Sequence, residues 1–140
     1  MRLSPCIEMQ FPHDEFCKRL DKIADIGFRG YEFWAWDNKN IPEIKAASTR
    51  LGLETVAFCT SFISLVDASQ REAYLKGLES SIAVAKDLGC TKLISQTGAE
   101  LADVPRKAQH DAMVEGLRAC VPLLESAGIT LVVEPLNILV

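Results

Sequence analysis

The stretch Ala127-Gly128-Ile129-Thr130-Leu131-Val132-Val133-Glu134 carries the pattern that decides the fold class. An amphipathic segment ends at a glycine, and a short apolar run rich in β-branched residues follows. A glycine suits the end of a helix because it adopts the left-handed backbone conformation with little strain. The pattern predicts a chain that alternates helices and strands. It occurs three more times, at Ile26-Gly27 before Tyr31-Glu32-Phe33-Trp34, at Leu51-Gly52 before Thr55-Val56-Ala57-Phe58, and at Leu88-Gly89 before Lys92-Leu93-Ile94-Ser95.

With residues 3–9 as the first strand, five strands and four helices are predicted. The apolar runs are nearly continuous, as expected for parallel strands whose two faces are both covered. Strict alternation indicates an α/β fold with right-handed crossovers. A five-stranded doubly wound sheet fits the 140 residues, whereas a (β/α)₈ TIM barrel needs about 250 and would be truncated here after its fifth strand. No helix is predicted after the fifth strand, which favours a single partial TIM-barrel domain over residues 1–140.

Local signals mark where the helices begin. Asn40 and Ser69 are each followed three residues later by a glutamate, the pattern of a capping box. In the last predicted helix, the apolar periodicity places Val121 on the core face. Pro122 lies inside this helix and is expected to kink it, because proline lacks the N–H that a helix interior uses.

Composition excludes several classes of protein. Apolar residues make up 49% of the chain and charged residues 24%, with a net charge of −4 and no Lys/Arg cluster, so nucleic-acid binding is not expected. No apolar run approaches the roughly 18–20 residues of a membrane span. Glu8 interrupts the segment where a signal peptide would be apolar, so we expect a cytoplasmic protein. The five cysteines form no C-x-x-C pair and predict neither a disulfide framework nor a zinc knuckle.

Candidate site residues are sought at the carboxyl ends of the strands, where parallel α/β folds bind their ligands. Glu134 ends the last apolar run, and Pro135 after it cannot donate to a strand ladder. A carboxylate that ends a buried strand must be ion-paired, hydrogen-bonded or metal-bound. A salt bridge to a neighbouring loop and a functional role are both open for Glu134.

Glu32 lies between two aromatic residues of its strand and therefore points to the opposite face, the interior of a barrel. A hydrogen-bonded structural carboxylate is the alternative to a functional one. Trp34 shares this face and either walls a pocket or packs in the core. His13 follows the first predicted strand, on the side of a site, but a lone histidine is more often structural. His110 is expected at the surface of the last helix.

Three segments resemble hydroxypyruvate isomerases and, more broadly, the sugar-phosphate isomerase/epimerase group of xylose isomerase-like TIM barrels. The resemblance runs along all 140 residues but covers only the N-terminal part of that barrel, through its fifth strand. The segments are Cys6-Ile7-Glu8-Met9, Gly27-Phe28-Arg29-Gly30-Tyr31-Glu32-Phe33-Trp34 and Gly128-Ile129-Thr130-Leu131-Val132-Val133-Glu134-Pro135-Leu136-Asn137.

The resemblance implies a role for Glu134, because the glutamate of the family's E-P-L-N segment binds a divalent metal and acts as one of two acid/base glutamates. Hard oxygen ligands suit Mg²⁺ or Mn²⁺. The family's other ligands, an Asp, a His or Gln and a second Glu, lie on later strands that have no positions in this chain. Gln96 and Asn137, together with Glu32, are carried over more loosely as pocket-lining residues.

The implied function is a metal-dependent isomerase that converts hydroxypyruvate to 2-hydroxy-3-oxopropanoate (tartronate semialdehyde) through an enediolate. A ketose 3-epimerase or related sugar isomerase is the alternative, as is a catalytically incomplete fragment that only folds or oligomerises. A metal-dependent endonuclease on the same barrel needs many histidine ligands and a basic face, and the chain has two histidines. The expected partners are a small hydroxy-carbonyl or sugar substrate and other copies of the chain, because a partial barrel leaves strand edges and apolar surface open. Neither nucleic acid nor a membrane is expected as a partner.

Overall fold

A computed structural model describes residues 3–135. Four strands form one parallel sheet in the order β1-β2-β3-β4, and helices connect them. This arrangement confirms the predicted α/β class and its alternation. The elements are α1 (Phe16–Ile26), β1 (Gly30–Phe33), α2 (Ile41–Leu51), β2 (Glu54–Cys59), a 3₁₀ turn (Ala68–Gln70), α3 (Arg71–Leu88), β3 (Lys92–Gln96), α4 (Arg106–Ala127) and β4 (Thr130–Glu134).

The predicted first strand over residues 3–9 is too long. The structure retains only an isolated parallel bridge between Cys6 and Glu32. The Ile7 N–H donates to the Glu32 carbonyl, and the Glu32 N–H donates to the Pro5 carbonyl, both at 2.9 Å. Pro5 has no N–H to extend the ladder, and the chain turns from Ile7 onward. The segment still lies beside β1, where the first strand of the barrel is expected.

The core lies between the sheet and its helices. Tyr31 and Phe33 are buried, and the Phe33 ring stacks on Phe58 of β2 with 5.0 Å between centroids. The Tyr31 hydroxyl contacts the Ser48 hydroxyl on α2 at 2.8 Å and accepts a hydrogen bond from the Thr55 hydroxyl at 2.7 Å. The two aromatic residues of β1 therefore pack beneath the helices, as predicted, and Glu32 points to the other face.

That other face is open along β4 in the described part of the chain, as expected for a partial barrel, whose inner surface is left uncovered. Along β4 the side chains alternate in burial, and Val132 is 46% exposed. The opposite face of the sheet is the interior of a barrel, and the strands of a complete barrel enclose that interior on all sides. The apolar runs thus suit a closed barrel better than the four strands observed.

Two predictions about helix starts have different outcomes. The Asn40 side chain accepts a hydrogen bond from the Glu43 N–H at 3.3 Å and caps α2, as predicted. Ser69 does not cap α3, because it lies inside the 3₁₀ turn that precedes the helix. Asp67 caps that turn instead, accepting a hydrogen bond from the Ser69 N–H at 2.9 Å.

Helix α4 runs from Arg106 to Ala127 without interruption, with Pro122 inside it. Val121 is 43% exposed, so the prediction that it faces the core is wrong. The core face of this helix carries smaller or polar residues that apolar periodicity does not detect, namely Gln109, Ala112, Gly116 and Cys120.

Two expectations from composition can be compared with the structure. All five cysteines are free thiols, which agrees with the prediction against a disulfide framework. Among the helices of residues 3–135, none combines the length and the apolar character that a membrane span requires.

Candidate functional site

The strand register brings three of the predicted site residues to one face of the sheet. Gln96 and Glu134 are register partners at the carboxyl ends of β3 and β4. Glu32 lies on β1, paired with Ala57 of β2. All three alternate with residues that face the helices, so their side chains share the open face. Glu134 is exposed there, whereas Glu32 and Gln96 are partly buried.

An acidic environment surrounds two thiols on this face. Cys59, at the end of β2, is 2% exposed, and its burial raises the pKa of its thiol to about 12, with the negative charge of Glu134 adding to the rise. Cys6, Glu8 and Glu32 act in the same direction. Burial also raises the pKa of Cys6. Thiols with raised pKa values stay protonated at neutral pH, so neither cysteine is suited to act as a nucleophile.

An ion pair that the sequence did not predict lies at the carboxyl end of β1. The Lys39 ammonium lies 2.5 Å from the Glu8 carboxylate, and their side chains are 9% and 17% exposed. The same carboxylate accepts the Trp34 N–H at 3.2 Å, and Lys39 also donates to the Ala35 carbonyl at 2.7 Å. Lys39 lies 5.6 Å from the centre of the Phe33 ring. The ion pair links the loop that follows the β-bridge at Cys6 to the loop that follows β1.

The remaining predicted residues lie near this edge with different surroundings. Trp34 is 46% exposed just after β1, so it is not a core residue. His13 is exposed in the loop before α1. Within residues 3–135, no hydrogen bond joins it to Glu134 or Gln96. His110 is exposed on α4, as expected. Asn137 lies outside the described residues.

A cavity of about 280 Å³ opens between the loops that follow β2 and β3. Gln96 lines it, so the cavity adjoins the Glu134 side of the sheet. Sequence reasoning found Gln96 but not the loop of residues 61–64, because no local pattern indicates how that loop folds back. The lining residues are Thr60, Ser61, Phe62, Ile63, Ser64, Gln70, Gln96, Gly98 and Ala99.

A larger hollow of about 490 Å³ lies at the opposite end of the strands. Its lining includes Gly30, Glu54 and Lys92, which are the first residues of β1, β2 and β3. Parallel α/β folds bind ligands at the carboxyl ends of their strands, and the amino ends serve stability. The candidate site is therefore the edge that carries Gln96 and Glu134.

The side chains at the carboxyl edge of the sheet do not form a complete metal site. Within residues 3–135, no three His, Cys, Asp or Glu side chains are arranged to hold a metal ion. Glu8 is already engaged by Lys39. The described residues therefore do not by themselves fit the divalent metal that the family resemblance implies.

Comparison with known proteins places the chain among barrels of one family. A family model described as "Xylose isomerase-like TIM barrel" matches residues 20–138. Over 146 aligned residues the chain is 28% identical to the hydroxypyruvate isomerase of Escherichia coli (strain K12), covering 98% of this chain and 56% of that protein. The chain spans about half the length of the curated relatives it matches.

Two of the solved structures that share the fold cover nearly all of this chain. A protein from Brucella melitensis described as "AP endonuclease, family 2" superposes with a TM-score of 0.90 at 23% identity, covering 97% of this chain and 55% of that one. The 3-keto-D-glucoside 4-epimerase of E. coli superposes with a TM-score of 0.79 at 21% identity, covering 98% and 57%. At these identities the likeness establishes the fold alone.

Proposed function

Because this chain belongs to the xylose isomerase-like TIM barrel family, we propose that it provides part of the active site of an isomerase or epimerase of small hydroxy-carbonyl compounds. The most specific candidate reaction is the conversion of hydroxypyruvate to 2-hydroxy-3-oxopropanoate. The observation that carries the proposal is the position of Glu134, an exposed carboxylate beside Gln96 at the carboxyl edge of the sheet.

In the proposed reaction Glu134 is the general base. Its carboxylate takes the proton from the carbon that bears the hydroxyl group, and the electrons of the broken C–H bond move toward the neighbouring carbonyl to form an enediolate. A proton moves from the original hydroxyl oxygen to the former carbonyl oxygen, and return of a proton to the former carbonyl carbon then gives the isomer. Glu134 is exposed in the described structure, which makes its carboxylate accessible to a substrate.

The other site residues have supporting roles in this proposal. The Gln96 amide, next to Glu134, donates a hydrogen bond to a substrate oxygen. Trp34 forms a wall of the pocket, and Glu32 lines the pocket on the same face. Asn137 and His13 are proposed as pocket-lining residues on the basis of their sequence positions.

The resemblance to the family adds a divalent metal, Mg²⁺ or Mn²⁺, to the proposal. Such an ion polarises the carbonyl and hydroxyl oxygens of the substrate when it is bound. In the described chain Glu134 is the one residue proposed as a ligand. A complete centre would need donors beyond residues 3–135, and the proton transfer proposed for Glu134 does not depend on the metal.

A ketose 3-epimerase is the second candidate, because it uses the same first step. Glu134 would remove the proton, and a second group would return one to the same carbon from the opposite side. We place either activity in the cytoplasm, since the five free thiols suit a reducing compartment. The acidic edge at Glu8, Glu32 and Glu134 does not favour a nucleic-acid substrate, because it would repel the phosphate backbone.

Proton NMR tests this function directly. The chain is incubated with hydroxypyruvate and, in parallel, with D-fructose, and new resonances are followed over time. The expected result is the slow appearance of 2-hydroxy-3-oxopropanoate from hydroxypyruvate, or of a C3 epimer from fructose. Spectra of both substrates that match enzyme-free controls would refute the proposed activity for this chain.

A further inference from the structure

Ser81 on α3 carries a buried hydroxyl group that connects three parts of the chain. Its side chain belongs to a residue that is 0% exposed. The Ser81 Oγ accepts the Trp36 indole N–H at 3.0 Å and the Ser61 backbone N–H at 3.3 Å, and it donates to the Gly77 carbonyl at 2.9 Å. A hydroxyl group has one proton to donate and two lone pairs to accept hydrogen bonds. The hydrogen-bonding capacity of Ser81 is therefore fully used.

The helix itself does not require a serine at this position. Alanine is the better helix former, and it would bury no polar group. A serine that only donates to the carbonyl four residues back adds nothing to a helix, and the exposed Ser80 makes such a bond to the Lys76 carbonyl at 3.2 Å. Ser81 differs because two donors from two loops reach its oxygen.

The first of these loops follows β1 and carries Trp34. At its start, the Trp34 N–H donates to the Glu8 carboxylate and the Trp34 carbonyl accepts the Cys59 N–H, both at 3.2 Å. Two residues later, the partly buried Trp36 ring packs against the core. The bond to Ser81 fixes the depth and direction of that ring, and with it the backbone that aims Trp34.

The second loop follows β2 and packs on α3 at the same place. Gly77 lies one turn before Ser81, and a Cβ at Gly77 would lie 3.0 Å from the Ile63 Cδ1 and 3.1 Å from the Ser61 Cβ. The missing side chain lets the loop approach the helix, and the Ser81 hydroxyl then holds its backbone at Ser61. Ser61 and Ile63 line the cavity beside Gln96.

We infer that Ser81 is a positioning residue for the proposed site, and that it sets the loop of Trp34 and the loop of Ser61 in one arrangement. Because Ser81 is fully buried, it acts through these loops and does not touch a substrate. Its effect on activity rests on the proposed function, whereas its effect on the loops does not. Glu134 lies on β4, which pairs with β3, so the proton transfer itself is not expected to depend on this hydroxyl.

The test of the loop positions compares ¹H–¹⁵N spectra of the unmodified chain and Ser81→Ala. The chain has two tryptophans, so it has two indole N–H signals, which the spectrum of Trp34→Phe assigns. In Ser81→Ala the Trp36 indole N–H should exchange with solvent about three- to tenfold faster, as for the loss of one hydrogen bond. The Trp34 indole signal and the Ser61 amide signal should both shift, which a loss of stability alone would not cause.

Ser80→Ala is the matched control. Ser80 is the neighbouring residue on the same helix, and its hydroxyl makes the same bond to a carbonyl four residues back, but on the exposed side. This variant is expected to leave the signals of Trp34, Trp36 and Ser61 in place.

Trp36→Phe tests the same connection from the side of the loop, and it keeps the test decisive where Ser81→Ala does not fold. The variant retains an aromatic ring, removes the indole N–H and leaves the Ser81 bond to Ser61 intact. Its single indole signal belongs to Trp34 and should shift from the position it has in the unmodified chain. The Ser61 amide signal should stay in place.

The rate of substrate proton exchange with solvent, measured at increasing concentrations of hydroxypyruvate, is the second readout. A displaced pocket wall weakens substrate binding, whereas a loss of folded chain lowers only the maximal rate. Ser81→Ala is therefore expected to raise KM about three- to tenfold and to change kcat by less than about twofold. Ser80→Ala should keep the KM of the unmodified chain.

Two results would overturn the inference. They are signals of Trp34 and Ser61 that stay in place in Ser81→Ala, and a kcat that falls while KM is unchanged. Shifted Trp34 and Ser61 signals in a chain that exchanges no substrate protons would uphold the positioning of the loops and remove the proposed function.

Discussion

At the scale of single residues, the sequence predicted which side chains share a face but not which of them pair. The two-residue period of a strand is enough to put Glu32 opposite Tyr31 and Phe33, and the structure agrees. The contact between Glu8 and Lys39 joins two loops, and no local pattern specifies such a contact. The same limit hid the loop at Ser64, whose fold depends on hydrogen bonds to the end of β3.

The Glu8–Lys39 pair should matter for stability. Lys39→Met keeps the length of the side chain but leaves the Glu8 carboxylate with one partner fewer in a largely buried position. We expect the free energy of unfolding to fall by about 1–3 kcal/mol, as for an unpaired buried group. Urea unfolding followed by circular dichroism measures the change.

Lys45→Met is the matched control for this variant. It removes an ion pair with Asp87 whose two side chains are 51% and 48% exposed, and such pairs contribute about 0–1 kcal/mol. Equal losses in the two variants would show that burial of the Glu8–Lys39 pair has no energetic consequence.

The raised pKa of Cys59 predicts how stability depends on pH. In the unfolded chain this thiol ionises near its ordinary pKa of 9.0, whereas in the folded chain it keeps its proton up to about 12. The unfolded state therefore loses a proton first, and the free energy of unfolding falls as the pH rises from about 9 to about 12, by up to about 1.4 kcal/mol per pH unit for this group. Urea unfolding at pH 8, 9 and 10 measures the slope.

Cys59→Ala should make that alkaline decline shallower, although the other cysteines and both tyrosines contribute in the same direction. A decline that is equally steep with and without the Cys59 thiol would contradict the assigned pKa.

At the scale of elements, glycine-marked helix ends were the most reliable signal. Gly52 and Gly89, among others, adopt the left-handed conformation directly after a helix, as the pattern predicted. Residues 3–9 were less predictable, because an apolar run does not show that Pro5 and the turn after Cys6 leave only one bridge. The exposure of Val121 had no sequence signal, since small residues form the core face of α4.

The two faces of the sheet should respond differently to truncation. Phe33 is 1% exposed and contacts Phe16 and Phe58 beneath the helices, so Phe33→Ala is expected to cost about 3–5 kcal/mol. Val132 on the open face is 46% exposed, and Val132→Ala should cost less than about 1 kcal/mol. Thermal or urea unfolding of both variants checks the difference, and a large loss for Val132→Ala would mean that the open face is covered in solution.

At the scale of the whole molecule, the open face of the sheet and the edge strand β4 favour contact with another protein surface. Trp34 and Val132 are each 46% exposed, and β4 has a partner on one side only within the described sheet. Unpaired strand edges and exposed apolar groups favour association. We propose that copies of the chain cover one another's open side.

Light scattering coupled to size-exclusion chromatography tests this association. At micromolar concentration we expect a mass of at least two chains, and a charge introduced on the open face, Val132→Glu, should reduce it. Val121→Glu, at an equally exposed position on α4, is the control and should leave the mass unchanged. A monodisperse monomer of about 15.4 kDa would argue against self-association.

The proposed function depends most on Glu134 as the group that takes a proton from the substrate. The most direct measurement is the exchange of the C3 protons of hydroxypyruvate, and of the C3 proton of D-fructose, with solvent in D₂O, followed by proton NMR in the presence of the chain. With the unmodified chain, at least one of these signals should decay faster than in enzyme-free samples. Glu134→Gln should bring its decay to the enzyme-free rate, and Glu79→Gln, at an exposed position on α3, should not. Exchange that proceeds equally with Glu134→Gln, or that never exceeds the enzyme-free rate, would contradict this role of Glu134.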